Sequence, residues 1–321
     1  MDLRHLRTFV AVAELGTVSR AAEQLRTAQP ALSRQIRTLE DDLRVRLFDR
    51  IGRRLLLTGE GEQLLGYCRS VLGAVTSLNE QAELARRPDA GTLKVGATPQ
   101  TIDGILSPFL IRYAERRPNI RIRLTEAVGA SGPMLLESGD LHLLISTAGA
   151  LEGGNHPLEK LWLPPLEFIA AYRPDFSLAG ENTLDIRDLG SHPLLLLDRT
   201  FAVRVAFDAA CRVAELKPNV SFESRAPHTL LALAEAGRGI AIVPSVMPTQ
   251  RYDIRTNRLV YRQKALREGY AIAWDKRRLL PPTAAEFCRS LLLYVRDTLP
   301  SRTTRPRKKL PQREAKRSRS C

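Results

Sequence analysis

At 321 residues, with 44% hydrophobic and 26% charged side chains, the chain has an ordinary globular composition and room for two or three domains. No apolar run approaches the ~20 residues that a membrane-spanning helix needs, and the opening "MDLRHLR" has no secretory h-region, so a cytoplasmic chain without membrane contact is expected. The net charge of +14 is uneven: residues 1–90 carry 14 basic and 12 acidic side chains, residues 91–299 carry 26 and 22, and residues 300–321 carry 9 and 1.

The last stretch therefore reads as a disordered basic tail, either attracting phosphates nonspecifically or acting as a passive solubilising end. Any specific nucleic-acid contact has to come from local residues. Cys68, Cys211, Cys288 and Cys321 are scattered, with no CxxC and no histidine pair nearby, so reduced structural thiols are expected and no metal site. There is no GxSxG, P-loop or GxGxxG, which leaves no enzyme signature and no cofactor.

Taken from the N-terminus, Leu3, Leu6, Phe9, Val10 and Ala13 recur at helical spacing over residues 2–15, and Gly16 ends the run. Thr17 and Ser19 offer capping oxygens to a second helix at about 18–25. After Arg26-Thr27-Ala28, a third helix starts at Gln29 with Pro30 in its first turn. Its apolar side is Leu32, Ile36, Leu39 and Leu43; its polar side is Ser33, Arg34, Gln35 and Arg37. A short turn followed by a helix that opens on hydrogen-bonding side chains is a helix-turn-helix pattern. "VRLFDRIGRRLLLT" then predicts a small hairpin or wing, Val45–Phe48 and Leu55–Leu57, with Arg53 and Arg54 at its tip.

Thr58 can cap a long helix at 59–86. Leu64, Cys68, Val71, Val75, Leu78, Ala82 and Ala85 alternate spacings of four and three, a coiled-coil seam that predicts dimerisation, while Leu65 and Leu72 form a second stripe. The alternative is one helix buried against its own domain. A hinge at 87–91 follows. Strands are then predicted at 92–98, 120–126, 141–147, 166–172, 194–198, 220–224, 240–243 and 270–274. Helices alternate with them near 102–116, 132–138, 201–214, 228–236 and 282–298. This predicts an α/β region with a mostly parallel sheet at 92–299. It divides into two lobes around a cleft, lobe I about 92–164 with 266–299 and lobe II about 165–265.

The motifs "AA..L", "QPALSRQI..LE", "RLF.R..R...LT" and "GE" fall at the spacings of the winged helix-turn-helix of LysR-type transcriptional regulators, which the N-terminal 65 residues resemble. "GTLKVGAT", "ESGDLHLLI" and "LAEAGRGIAIVP" extend the resemblance to about residue 298. The resemblance implies an all-α winged unit, a dimerisation helix, and a two-lobed domain like a periplasmic binding protein. It implies DNA contacts through Ser19, Arg20, Gln29, Pro30, Ser33, Arg34 and Arg37, with Arg53 and Arg54 on the wing. It also implies a homodimer or homotetramer on double-stranded promoter or operator DNA, with RNA polymerase as a partner. Arg44 departs from the pattern, standing where the family usually has glycine; a left-handed turn there would cost roughly 1 kcal/mol. His142 departs too, where an acidic residue is usual.

Effector contacts are expected where strands end and helices begin. Thr98, Gln100 and Thr101 follow the first strand, and Ser146 and Thr147 the third. Arg199, Thr200 and Phe201 open one helix, and His228 opens another. These positions match where the resembled family binds its coinducer. Amides, hydroxyls and Arg199 together would favour a small carboxylate or other anion. Each threonine is equally readable as a helix cap, Phe201 as core, and His228 as a cap.

Overall fold

The computed structural model describes residues 1–51, 54–86, 91–153, 157–176, 178, 182–278 and 280–302. Asp2 opens α1 (Leu3–Leu15) by accepting the Arg4 amide, and Gly16 closes it at φ 70°. The Thr17 side chain accepts the Arg20 amide to start α2 (Val18–Gln24). Next comes α3 (Gln29–Leu43), followed by an antiparallel hairpin of β1 (Phe48–Ile51) and β2 (Arg54–Leu57). Leu6, Phe9, Val12, Ala21, Leu32, Ile36, Leu39 and Leu47 close one core between these elements. Phe9 meets Phe48 edge-on at 5.4 Å, fixing the hairpin to α1.

The sequence pattern starts the first wing strand at Val45, whereas the strand begins at Phe48. Glu40 supplies the reason: its carboxylate accepts the amides of Leu47 (2.8 Å) and Phe48 (3.3 Å), which draws the chain back onto α3 before pairing starts.

Arg44 takes the left-handed turn that a glycine would take, at φ 56° and ψ 34°. Its amide reaches the Asp41 carbonyl at 3.3 Å, and the Val45 amide reaches Glu40 at 3.2 Å. That is the double bond pattern of a glycine-capped helix end, kept without glycine. Arg26 does the same at the end of α2, at φ 50°.

Thr58 accepts the Gly61 amide at 2.9 Å and opens α4 (Gly59–Arg86). The expected seam is split between two environments. Cys68 is buried and Leu64 packs beside it on the winged unit's core, together with Leu65 and Leu72. These positions serve the chain's own packing, which corrects the dimer role predicted for Leu64 and Cys68. Val71 and Leu78 are 45% and 69% exposed, Ala82 is exposed, and Val75 is partly so. Tyr67, not in the predicted seam, is 72% exposed. The outward stripe therefore runs Tyr67, Val71, Ala74, Leu78.

In the C-terminal region, β3 (Gly91–Ala97) pairs in parallel with β4 (Ile120–Glu126) and β5 (Leu143–Thr147). A helical turn α5 (Pro99–Thr101), a π turn (Ile102–Leu106) and α6 (Ser107–Arg116) take the place of the single helix predicted at 102–116. After α7 (Ser131–Ser138) and a short α8 (Ala148–Glu152) comes β6 (Leu158–Tyr172), longer than the strand predicted at 166–172. The second group holds β7 (Thr183–Asp185), β8 (Pro193–Leu197), α9 (Ala202–Val213), β9 (Asn219–Ser224), α10 (Pro227–Glu235) and β10 (Ile240–Pro244). The chain then returns through β11 (Arg255–Tyr261), β12 (Lys264–Ala265) and β13 (Arg267–Asp275) to α11 (Pro282–Arg302).

The strands run in the order β4-β3-β5-β13-β6-β10-β8-β9, and β6 belongs to both halves. Residues 158–167 of β6 pair with β13, and residues 168–172 pair with β10 and β11. Separate cores fill the two lobes, one around Phe109, Tyr113, Phe287 and Leu291, the other around Phe168, Phe207, Leu194 and Ile240. Arg53, residues 87–90 of the hinge and residues 303–321 of the basic tail lie outside the described residues, as does the Arg54 side chain; residues 300–302 continue α11.

Replacing Arg44 by Gly should relieve the left-handed strain, stabilising the fold by about 0.5–1 kcal/mol. The expected readout is a higher urea midpoint at unchanged slope; an unchanged or lower midpoint would show that Arg44 carries no strain.

Candidate functional site

Two surfaces carry chemistry. On α3, the buried Leu32, Ile36 and Leu39 turn the other side outward. Gln29, Pro30, Arg34 and Arg37 are exposed and Ser33 partly so; Ser19 and Arg20 of α2 are exposed beside them. The Gln29 Nε2 donates to Ser19 Oγ at 2.5 Å, so the two helices meet at a shared polar corner. Ala28 makes no side-chain cap, which leaves the first amides of α3 unblocked by the protein's own side chains. Gln35, by contrast, faces inward and accepts from Thr8 at 2.5 Å. The acidic Glu40, Asp41 and Asp42 sit at the far end, where Glu40 holds the wing and Asp42 pairs with the N-terminal amine at 2.7 Å. The exposed donors thus gather at one end of α3 and the carboxylates at the other.

The second surface lies between the lobes. Thr98, Gln100, Thr101, Ser146, Thr147 and Phe201 line an inner cavity of about 20 Å³, room for about one water. Phe201 is 3% exposed and is core and cavity wall at once. The Tyr270 hydroxyl donates to Thr101 Oγ1 at 3.0 Å, and Thr98 lies 3.0 Å from Thr101. Burial pushes the Tyr270 hydroxyl pKa up, opposed by the Thr101 hydrogen bond, so the phenol stays protonated. Gly129, Ala150 and Ala202 form a wall shared with an outer groove of about 320 Å³ between α7, α8 and α9, which Thr200 lines.

Two expected contacts belong elsewhere. Arg199 is 78% exposed and lines neither space; its Nε lies 3.4 Å from Asp208, which draws it along α9 and away from the cleft. His228 lines neither space either: Nδ1 meets the Tyr252 hydroxyl at 2.9 Å and Nε2 meets Asp103 at 3.0 Å. It joins α10 of one lobe to the π turn of the other. Thr200 donates to Asp198, capping its own turn as well as facing the groove.

Sequence reasoning missed Tyr270 and Glu268, both on β13 and both at the cleft. One signal was available: "REGYAIAWD" places a glutamate beside a glycine at the head of an apolar strand, where a bulge re-aims side chains.

Residues 3–62 match the model of the bacterial regulatory helix-turn-helix protein, lysR family, and residues 86–294 match the LysR substrate binding domain. The chain belongs to the LysR family of transcriptional regulators. It is 29% identical over 288 residues to the uncharacterized HTH-type transcriptional regulator YybE of Bacillus subtilis, covering 89% of this chain and 97% of that one. It is 30% identical over 253 residues to the DNA-binding transcriptional dual regulator OxyR of Escherichia coli, covering 78% and 82%. Among solved structures, full-length CbnR complexed with its target DNA aligns at a TM-score of 0.63 and 26% identity over 92% of this chain and 99% of that one. A full-length OxyR variant from Pseudomonas aeruginosa shares the fold at a TM-score of 0.68 and 23% identity, over 92% and 95%. LysR regulators bind DNA and small-molecule effectors, and this chain carries both modules. Among the described residues no helix is long and apolar enough to cross a membrane, and no cluster of His, Cys, Asp or Glu could hold a metal.

The described cysteines of this LysR regulator sit in cores. Cys68, Cys211 and Cys288 are buried free thiols, and burial pushes Cys211 and Cys288 up to about 12, with Asp208 adding to the rise at Cys211. A protonated, enclosed thiol is a poor nucleophile. Iodoacetamide at mildly alkaline pH should therefore leave Cys211 and Cys288 unmodified in the native protein and modify both in urea, read by peptide mass. Fast native labelling of Cys211 would contradict that burial.

Proposed function

We propose that this LysR regulator reads an interrupted palindromic operator through α3 and is controlled by a small molecule held between its lobes. The observation that carries the reading is the sidedness of α3: Leu32, Ile36 and Leu39 are buried while Gln29, Arg34 and Arg37 are exposed. Gln29 and Arg34 suit adenine and guanine edges in the major groove, with Ser33 and Pro30 beside them. Arg37, Ser19 and Arg20 suit the backbone, and Arg53 and Arg54 on the wing suit phosphates or a narrow minor groove. Thr98, Gln100, Thr101, Thr147 and Phe201 form the effector's inner wall, and Thr200 the outer. The protein acts in the cytoplasm as a regulator and not a catalyst, contacting RNA polymerase at the promoter.

The exposed stripe Tyr67, Val71, Ala74 and Leu78 on α4 is the surface for a second copy, continued by Ala82, and two such dimers make the tetramer. A stripe of this size on an isolated helix favours burial by association.

Arg34→Ala should weaken operator binding roughly 5- to 150-fold, the equivalent of about 1–3 kcal/mol for one bidentate base contact. Removing residues 303–321 should leave the footprint in place and lower only the salt-dependent, sequence-independent affinity. A footprint indifferent to Arg34→Ala but lost with those residues would sink the proposal.

Leu78→Glu puts a charge into the helix stripe and should convert the assembly to smaller species in light scattering at micromolar concentration. An unchanged mass would place the interface elsewhere.

A further inference from the structure

Among the described residues, the groove between α7, α8 and α9 has one charged side chain in its wall. Glu268 is half-buried; its carboxylate accepts the Gly149 amide at 3.1 Å and makes no ion pair among the described residues. Burial pushes its carboxyl pKa up, the Gly149 hydrogen bond opposes this, and a second carboxylate, Glu152 at the end of α8, adds to the rise. Its neighbour Arg267 turns to Glu167 at 3.0 Å, and Arg199 is held by Asp208. Among the described residues no lysine, arginine or histidine lines either the groove or the inner cavity. The groove's other walls are small or apolar, with Pro133, Val205, Ala206 and Ala209 among them. Behind them Gln100, 3% exposed, lines the inner cavity with its amide oxygen unpartnered.

These features ask for the same complement. A carboxylate taken out of water without a cation is costly, and a second carboxylate nearby raises the cost. An anion placed in the groove would face both. A protonated nitrogen would neutralise Glu268 through a charge-assisted hydrogen bond, while an apolar body covers the alanines. At about 320 Å³ the groove is at the low end of small-molecule pockets.

We propose that the groove binds a small organic cation, an amine or guanidine on an apolar body, with its charged nitrogen on Glu268 and a further polar group within reach of Gln100. This rests on the cleft being the effector site and names the effector's class; it replaces the carboxylate that Arg199 suggested in the sequence.

The test titrates the full chain with phenethylamine and hexylamine against the shape-matched acids 3-phenylpropionate and hexanoate, read by thermal shift and calorimetry, with operator footprints on the same samples. The expected result is saturable stabilisation by the amines at millimolar concentration and none by the acids. Glu268→Gln, which keeps an acceptor for the Gly149 amide, should weaken amine binding at least tenfold. Ala209→Leu, which fills the groove from α9, should weaken it independently. Amine binding equal in wild type and Glu268→Gln, or no binding by either class, would overturn the cation. Acids that bind and alter the footprint would also overturn it while leaving the effector cleft standing. If ligands bind but none alters the footprint, the effector reading falls instead.

Discussion

Pro164 and Pro165 have no amide hydrogens, and the C-terminal region is arranged around that loss. β6 is one strand of 15 residues that serves both lobes, and its ladder with β13 skips the two prolines at its middle. Leu158–Leu163 before the prolines and Leu166–Glu167 after them pair with β13, and from Phe168 on the strand pairs with β10. Opposite the prolines the register of β13 slips between Glu268 and Tyr270, around Gly269. A side chain at Gly269 would meet the Ala148 methyl at 2.9 Å, so glycine there lets β13 approach α8. The bulge in β13 opposite the prolines lies beside the ligand-sized space, with Glu268 and Tyr270 on either side of it. It also aims Glu268 and Tyr270 at that room.

The winged unit shows a comparable division of tasks. Glu40 is polar and lies on α3, yet its carboxylate is occupied by two wing amides. Gln35, likewise polar, is occupied by Thr8. What remains exposed near the start of α3 is the set that offers donors without a structural task, Arg34 and Arg37, together with Gln29 at the Ser19 corner. The free exposed donors of this unit are therefore few, because others on the same polar face hold the helix and hairpin in register. The left-handed Arg44 at the join costs about 1 kcal/mol, small against a core that includes Phe9, Leu32 and Leu39.

Much of this was legible in the sequence where period and punctuation agree. The helix at 59–86 and the strand at 120–126 match the structure at both ends, and α3 begins at Gln29 as its proline indicates. What was illegible has physical causes. A heptad pattern cannot say which side of α4 its own domain covers, so it reads Leu64 and Cys68 as outward and passes over Tyr67. β11 pairs with β6 through "RTNRLVY", whose polar residues mask a strand, and the double proline hides the first half of β6. Arg199 and His228 have the right chemistry at the right chain positions. Their partners Asp208 and Asp103 decide where they point, and such partners are visible only in three dimensions.

β13 runs from the cleft toward the helix that carries the winged unit. Near its start it carries Glu268 and Tyr270 at the cleft; it ends at Asp275, 3% exposed. Burial pushes the Asp275 carboxyl pKa up, but hydrogen bonds from Arg277 and the charges of Arg277 and Arg278 outweigh it and hold the group ionised. Arg278 then donates to the Glu137 carbonyl of α7 at 2.6 Å and lies against Gly73 of α4, where a methyl would overlap its guanidinium. From Glu268 to Asp275 an extended strand spans roughly 23 Å at about 3.3 Å per residue. A hydrogen-bonded strand between two others is stiff along its length. The arginine contact at its far end lies beside α4, which also packs on the winged unit through Cys68 and Leu72. The pairing of β13 with β5 and β6 fixes its position, and Gly73 is one of the points at which the effector half of the molecule touches the helix that carries the DNA half.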